Sequence, residues 1–312
     1  MRALVALLLA LAVLSPTAGC GGDEAERPFT LALDFTPNAA HAGIYSAPEG
    51  SGLRVRAPGN STDSLKLLES RRADMAVLDI ADLGLAREKG ADVVAVAALV
   101  QRPLAAVIAG PGIDRPRELE GRRVGVTGLP SDEAVLRAVL EADGARLERV
   151  RRVTVGFGAV PSLVAGKVDA VTAFWNAEGV ALREAGERTR EFRLDDFGAP
   201  AYPELVLVVR TETLREDRTR VREILEALRS GTEAALRDPE GAVTAIARAS
   251  GAEPSLVRAE LSAVAPALRP ALRLDRAAVE GWARFAERYG VLRERPAVDA
   301  AFAFDLVTGR SP

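Results

Sequence analysis

"LALDFTPNAAHAGIY", residues 31–45, is the stretch on which the reading of this chain turns. A short apolar run stops at Asp34, and close behind it come Phe35, a Thr-Pro turn, Asn38, His41 and Tyr45. His41 is the only histidine in a chain whose aromatic content is 4%, so these groups gather here against the trend of the composition. In an open α/β sheet, ligands sit beyond the carboxyl ends of the strands. If "LALD" ends the first strand of such a sheet, Phe35 and its neighbours stand where a ligand is met. A helix from about Ala39 then puts His41 and Tyr45 four apart on one face, with Asn38 at its N-cap.

Outward from this stretch, strand-like runs such as "DMAVLDI", "DVVAVAAL", "LAAVIAG", "VRRVTVG" and "ELVLVVRT" alternate with helical patterns. Several are too continuously apolar for a sheet with one wet face, which predicts strands covered by helices on both sides. In "SDEAVLRAVLEADG", Ser131 is placed to cap a helix and Gly144 to end it. After Arg210 the texture becomes helical, and in "LDRAAVEGWARFAERYG" Asp275 is placed to cap while Leu274 and Val279 form a staple. Two α/β halves with a helical tail predict a chain that leaves one lobe, builds a second, and returns. The crossings are placed near Ala109 and Leu205, giving residues 28–108 and 205–312 to the first lobe and 109–204 to the second. A cleft between lobes on a two-strand hinge suits a small ligand.

Composition narrows the class. The chain has 312 residues, 48% of them apolar, and a net charge of −3, which leaves no basic footprint for nucleic acid. With Cys20 as its one cysteine, neither an intrachain disulfide nor a cysteine-based metal cluster is possible. Residues 1–19, "MRALVALLLALAVLSPTAG", have the charged start, apolar run and small-residue end of an export signal. Small residues leading to Cys20 resemble the lipobox of bacterial lipoproteins, with Thr17 where that motif usually carries Leu. The resemblance implies lipidation of Cys20 and a membrane anchor, with residues 20–27 as a flexible tether.

The opening motif resembles the "LDWxPNxxHxGxY" signature of thiamine-pyrimidine-precursor-binding proteins, solute-binding components of ABC importers. The similarity continues through "LLESRRADMAVLDIADLGLAREKGADVVAVAALVQRPLAAVI", "LEGRRVGVTGLPSDEAVL", "LVAGKVDAVTAFWNAEGVAL" and "DDFGAPAYPELVLVV", and so covers residues 29–307. It implies a type II periplasmic-binding-protein clamshell: two Rossmann-like lobes on a two-strand hinge. It also implies a monomeric, non-catalytic binder without cofactor that hands a small heteroaromatic ligand to a permease driven by an ATPase subunit. Riboflavin- and sulfonate-binding importers are related, and a eukaryotic branch makes the pyrimidine itself, using a lysine-bound pyridoxal phosphate, iron and a sacrificed histidine. This chain departs from the pattern at Phe35 for Trp, at Pro203 for Tyr, and at "FWNAEG" for "FEGW".

A flat polar ring needs aromatic faces and edge partners. Phe35, Tyr45, Trp175 and Tyr202 are candidates for the faces, and Asn38, His41 and Asn176 for the edge. A carboxylate suits an aminopyrimidine, accepting from its amine and a protonated ring nitrogen together; Asp79, Asp82 and Glu178 are candidates. Ser131, at a helix mouth, would meet an anion, but Asp132 and Glu133 in the same turn disfavour one. Asn38→Ala with His41→Ala is predicted to abolish binding and leave the fold intact.

Overall fold

The computed structural model describes residues 27–59 and 63–307. The export signal, Cys20 and the tether up to residue 26 lie outside the described residues. Strands β1 (Phe29–Ala32), β2 (Leu53–Arg56), β3 (Met75–Asp79) and β4 (Val93–Ala98) form one sheet with a strand from much later in the chain, β10 (Leu205–Arg210). Its order is β2-β1-β3-β10-β4. The second sheet takes β5 (Ala105–Ala109), β6 (Arg123–Val126), β7 (Arg151–Thr154), β8 (Ala170–Phe174) and β9 (Arg190–Arg193), in the order β7-β6-β8-β5-β9. The fold is a two-lobed α/β clamshell. β10 runs antiparallel to β3 and β4, and β5 antiparallel to β8 and β9. The remaining pairs are parallel.

The apolar runs behave as a doubly covered sheet requires. Every residue of β4 and β5 is buried, and so is every residue of β10 but its last. The edges differ: all four residues of β7 are exposed, and Arg151 and Arg152 there discourage pairing with another chain. β5 pairs with β8 and β9, so the outgoing crossing lies between Ala98 and Ala105 and not near Ala109. The strand "LAAVIAG" therefore belongs to the second sheet. Its uniform apolarity gave no sign of which sheet would bury it. The return runs from the end of β9 at Arg193 to the start of β10 at Leu205.

After β10 the chain is helical, with Arg218–Arg237 the longest helix. Asp275 caps the helix Arg276–Arg288 by accepting from the Ala278 N–H at 3.0 Å. The helix Pro130–Ala142 starts two residues earlier than expected, so Ser131 lies inside its first turn and does not cap it. No side chain caps the helix at Leu129; Asp132, in the first turn, reaches back to accept from the Gly128 and Leu129 N–H groups at 2.9 and 3.1 Å.

The motif's glycine has a packing reason. The short helix Ala42–Tyr45 crosses Arg218–Arg237 so closely that a Cβ on Gly231 would lie 2.3 Å from the Gly43 carbonyl oxygen. One on Gly43 would lie 2.0 Å from the Thr232 hydroxyl oxygen. Backbone meets backbone here, and only glycine fits on either side.

Candidate functional site

A cleft opens between the lobes at the ends of the strands. The carboxyl ends of β1, β3, β6, β7 and β8 supply Asp34 and Phe35, Asp79, Thr127, Phe157 and Phe174. β5 and β10 run the other way, so their starts face the same space and add Ala105, Ala106, Glu204 and Leu205. Six carboxyl groups line it: Asp34, Asp79, Asp82, Asp132, Glu178 and Glu204. No lysine, arginine or histidine is among the described lining residues. Phe35 from the first lobe meets Phe157 from the second edge to face, ring centroids 4.5 Å apart, closing an aromatic contact across the cleft.

The environment pushes these acids toward their neutral forms. Asp79 is raised well above the usual carboxyl range by burial and then by the charges of Glu204 and Asp82, although it accepts from the Ala81 N–H at 2.7 Å. Asp82 is pushed up to about 7 by burial and by Asp132 and Asp34. Glu204 also reaches about 7, chiefly through burial. Glu178 is raised by burial, partly offset by its hydrogen bond from the Phe174 N–H at 3.1 Å.

Folding raises these pKa values, so between the unfolded and folded values the native state holds more protons than the unfolded chain, and stability falls as pH rises. The unfolding temperature of the ligand-free protein is expected to drop between about pH 5 and pH 7.5. Thermal unfolding followed by circular dichroism checks this, and a flat profile would show that the cleft carboxyls ionise without cost.

The residues of the opening motif serve the cleft from behind. Asn38 caps the turn at Ala39–His41: its Oδ1 accepts from the Ala40 N–H at 2.9 Å, and its Nδ2 donates to the Thr36 carbonyl at 3.0 Å. The Asn38 backbone N–H donates to His41 Nδ1 at 3.2 Å. That assigns the proton to Nε2, which donates to Asp34 Oδ1 at 2.8 Å. His41 is fully buried. Its task in this geometry is to fix the Asp34 carboxylate, which does face the cleft. Tyr45 packs half-buried against the apolar cluster around Leu31, Leu33 and Leu228. Asn38, His41 and Tyr45 are thus not among the lining residues, because their polar groups or surfaces are spent on the scaffold. Losing both Asn38 and His41 therefore costs stability, the cap alone about 0.5–2 kcal/mol, so a lowered unfolding temperature is expected.

The other candidates divide as clearly. Phe35, Asp79, Asp82, Ser131 and Glu178 line the cleft. Trp175, Asn176 and Tyr202 do not, each being 3% exposed or less. The Trp175 indole donates to the Pro103 carbonyl at 3.0 Å and lies under the Arg193 guanidinium, 4.4 Å from its ring centroid; it braces the crossing. Tyr202 packs on Phe285 with ring centroids 5.9 Å apart. Sequence reasoning missed Asp34, Phe157 and Glu204 as lining residues. Phe157 follows its strand as Phe35 follows β1, and Glu204 is the lone charge at the mouth of "LVLVV"; both were available signals.

The helix Pro130–Ala142 already holds an anion at its mouth. Besides the two backbone N–H groups, Asp132 accepts from the hydroxyls of Thr127 and Thr172, each at 2.8 Å. The Gly128 and Leu129 amides, just before the helix, are engaged by the protein's own carboxylate.

Comparisons with known proteins agree with this geometry. The model of the family described as NMT1/THI5 like matches residues 38–242. A formylaminopyrimidine-binding protein from Halalkalibacterium halodurans is 32% identical over 255 residues, 78% of this chain and 77% of that protein. The 4-amino-5-hydroxymethyl-2-methylpyrimidine phosphate synthase THI5 of Saccharomyces cerevisiae is 24% identical over 67% of each chain. Among solved structures, the ligand-binding component of an ABC-type import system from Staphylococcus aureus superposes with a TM-score of 0.73 at 14% identity, covering 89% of this chain and 97% of that one. With two thirds of its length matched, from Asn38 in the opening motif onward, the chain belongs to the NMT1/THI5-like family.

Proposed function

We propose that this protein is the extracytoplasmic ligand-capture component of an ABC importer, that it takes an aminopyrimidine precursor of thiamine, and that Cys20 carries its lipid anchor. The observation that carries the ligand is the cleft lining: six carboxyl groups and no described cation. An aminopyrimidine presents an exocyclic amine beside a ring nitrogen that accepts a proton, and a carboxylate pairs with both at once. Charge-assisted pairs of this kind are about twice as strong as neutral ones. Phe35 and Phe157 offer ring faces at the same place.

The lining speaks against the related ligands. A sulfonate would meet Asp132 where its oxygens need donors. Riboflavin's ring carbonyls need donors; of the lining hydroxyls, those of Ser64, Thr127 and Thr172 already donate to Leu33 and Asp132, and the acids donate only in their neutral form. Support for binding over catalysis comes from the same residues. None of Lys66, Lys89 and Lys167 lines the cleft to hold a Schiff base, and His41 has no exposed surface. The relative named as a formylaminopyrimidine-binding protein supports import over synthesis.

Isothermal titration calorimetry of the mature chain tests the reading. Saturable one-to-one heats are expected with 4-amino-5-hydroxymethyl-2-methylpyrimidine and its formylaminomethyl counterpart, and none with riboflavin or an alkanesulfonate. Saturation by either of the latter, with silence from both pyrimidines, would overturn it.

A further inference from the structure

Two stretches connect the sheets, and Glu204 touches both. It is the last residue before β10 and is 3% exposed. Its Oε2 accepts hydrogen bonds from the Leu104 N–H at 2.6 Å and the Ala105 N–H at 2.9 Å, on the outgoing crossing and at the start of β5. Its backbone carbonyl accepts from the Ile80 N–H at 2.8 Å, at the start of the helix after β3. Its carboxyl also lies within hydrogen-bonding reach of Asp79, and both carboxyls line the cleft. One side chain therefore joins the outgoing crossing, the returning crossing and the cleft acids.

We propose that Glu204 is a positioning residue that couples occupancy of the cleft to closure of the lobes, by gripping the Leu104 and Ala105 amides more strongly when it becomes an unshared carboxylate. In the empty cleft, Asp79 and Glu204 face each other without a cation, and two such carboxyls hold one proton between them. The groups facing the pair are Asp34 and Asp82 from the first lobe, Asp195 from the turn after β9, and the Tyr202 phenol. The Arg102 guanidinium is already paired with Asp195 at 2.5 Å. A guest that donates to Asp79, or brings positive charge there, expels the shared proton to solvent. Glu204 is then a full carboxylate, and its hydrogen bonds to the two amides become charge-assisted, about twice as strong as neutral ones. Those amides belong to the crossing itself, so the strengthened grip acts on the hinge. Burial holds Glu204 up to about 7, so Glu204 itself gains or loses its charge near neutral pH.

The test needs no ligand and is therefore independent of which compound the cleft takes. Trp175 donates its indole N–H to Pro103 and its backbone N–H to the Leu104 carbonyl, each at 3.0 Å, so its emission reports on the gripped crossing. In a Trp282→Phe background, Trp175 emission is expected to shift between pH 6 and pH 8. Small-angle X-ray scattering on the otherwise unaltered chain is expected to give a smaller radius of gyration at pH 8. Glu204→Gln keeps an oxygen for the two amides but cannot ionise, and it should abolish both transitions while the protein stays folded. Equal scattering and emission at the two pH values in the parent, or transitions that persist in Glu204→Gln, would overturn the proposal. Silence from the pyrimidines in calorimetry would leave this result standing.

Discussion

Asp82→Asn combined with Glu178→Gln is expected to weaken capture of an aminopyrimidine about 100-fold or more, from the loss of two charge-assisted hydrogen bonds worth about 1.5–3 kcal/mol each. The two carboxyls come from opposite jaws, Asp82 beyond β3 and Glu178 beyond β8. Removing both takes away one partner from each side of the guest without changing side-chain size. The same change should raise the unfolding temperature of the empty protein, because burial and neighbouring acids hold both groups above the usual carboxyl range. Calorimetry and thermal unfolding on one preparation measure the pair of effects. Lost affinity with gained stability marks groups kept for a guest. Unchanged affinity would remove these carboxyls from the site.

The largest effect on folding is expected at Gly231. Leucine in place of Gly231 drives a side chain into the Gly43 carbonyl and into the backbone at Ser46 and Ala47. These are main-chain atoms and cannot rotate aside. Overpacking typically costs 1–3 kcal/mol, and a clash with backbone belongs at the upper end or above, for a fall of roughly 10 °C in unfolding temperature. The gain from replacing a helical glycine is about 1 kcal/mol and does not offset it. Differential scanning calorimetry of Gly231→Leu measures the balance. A fall within error of zero would mean that the two helices separate freely, and the account of Gly43 would go with it.

Much of the fold was legible in the residues alone. The strand-helix rhythm, the doubly covered sheets and the late return of β10 follow from unbroken apolar runs and a helical tail. The crossing was misplaced because "LAAVIAG" looks the same whichever sheet buries it. At the site, the motif pointed to a strand end that opens on the cleft, but its most conspicuous side chains do not line that space. Asn38, His41 and Tyr45 are conspicuous by residue type, yet hydrogen bonds within the turn and packing beneath it claim them. Asp34 and Phe35, beside them, face the open space. Sequence spacing places a residue at the end of a strand; only the local hydrogen bonding decides whether its side chain serves the scaffold or the cavity. Trp175 and Tyr202 teach the same lesson about burial, since both support the crossings.

Asp132 has a wider consequence. Because the helix Pro130–Ala142 brings its own negative group to its mouth, abundant inorganic oxyanions in the medium find that seat taken. On the reading proposed above, guests are then sorted by charge with the door open, before any motion of the lobes.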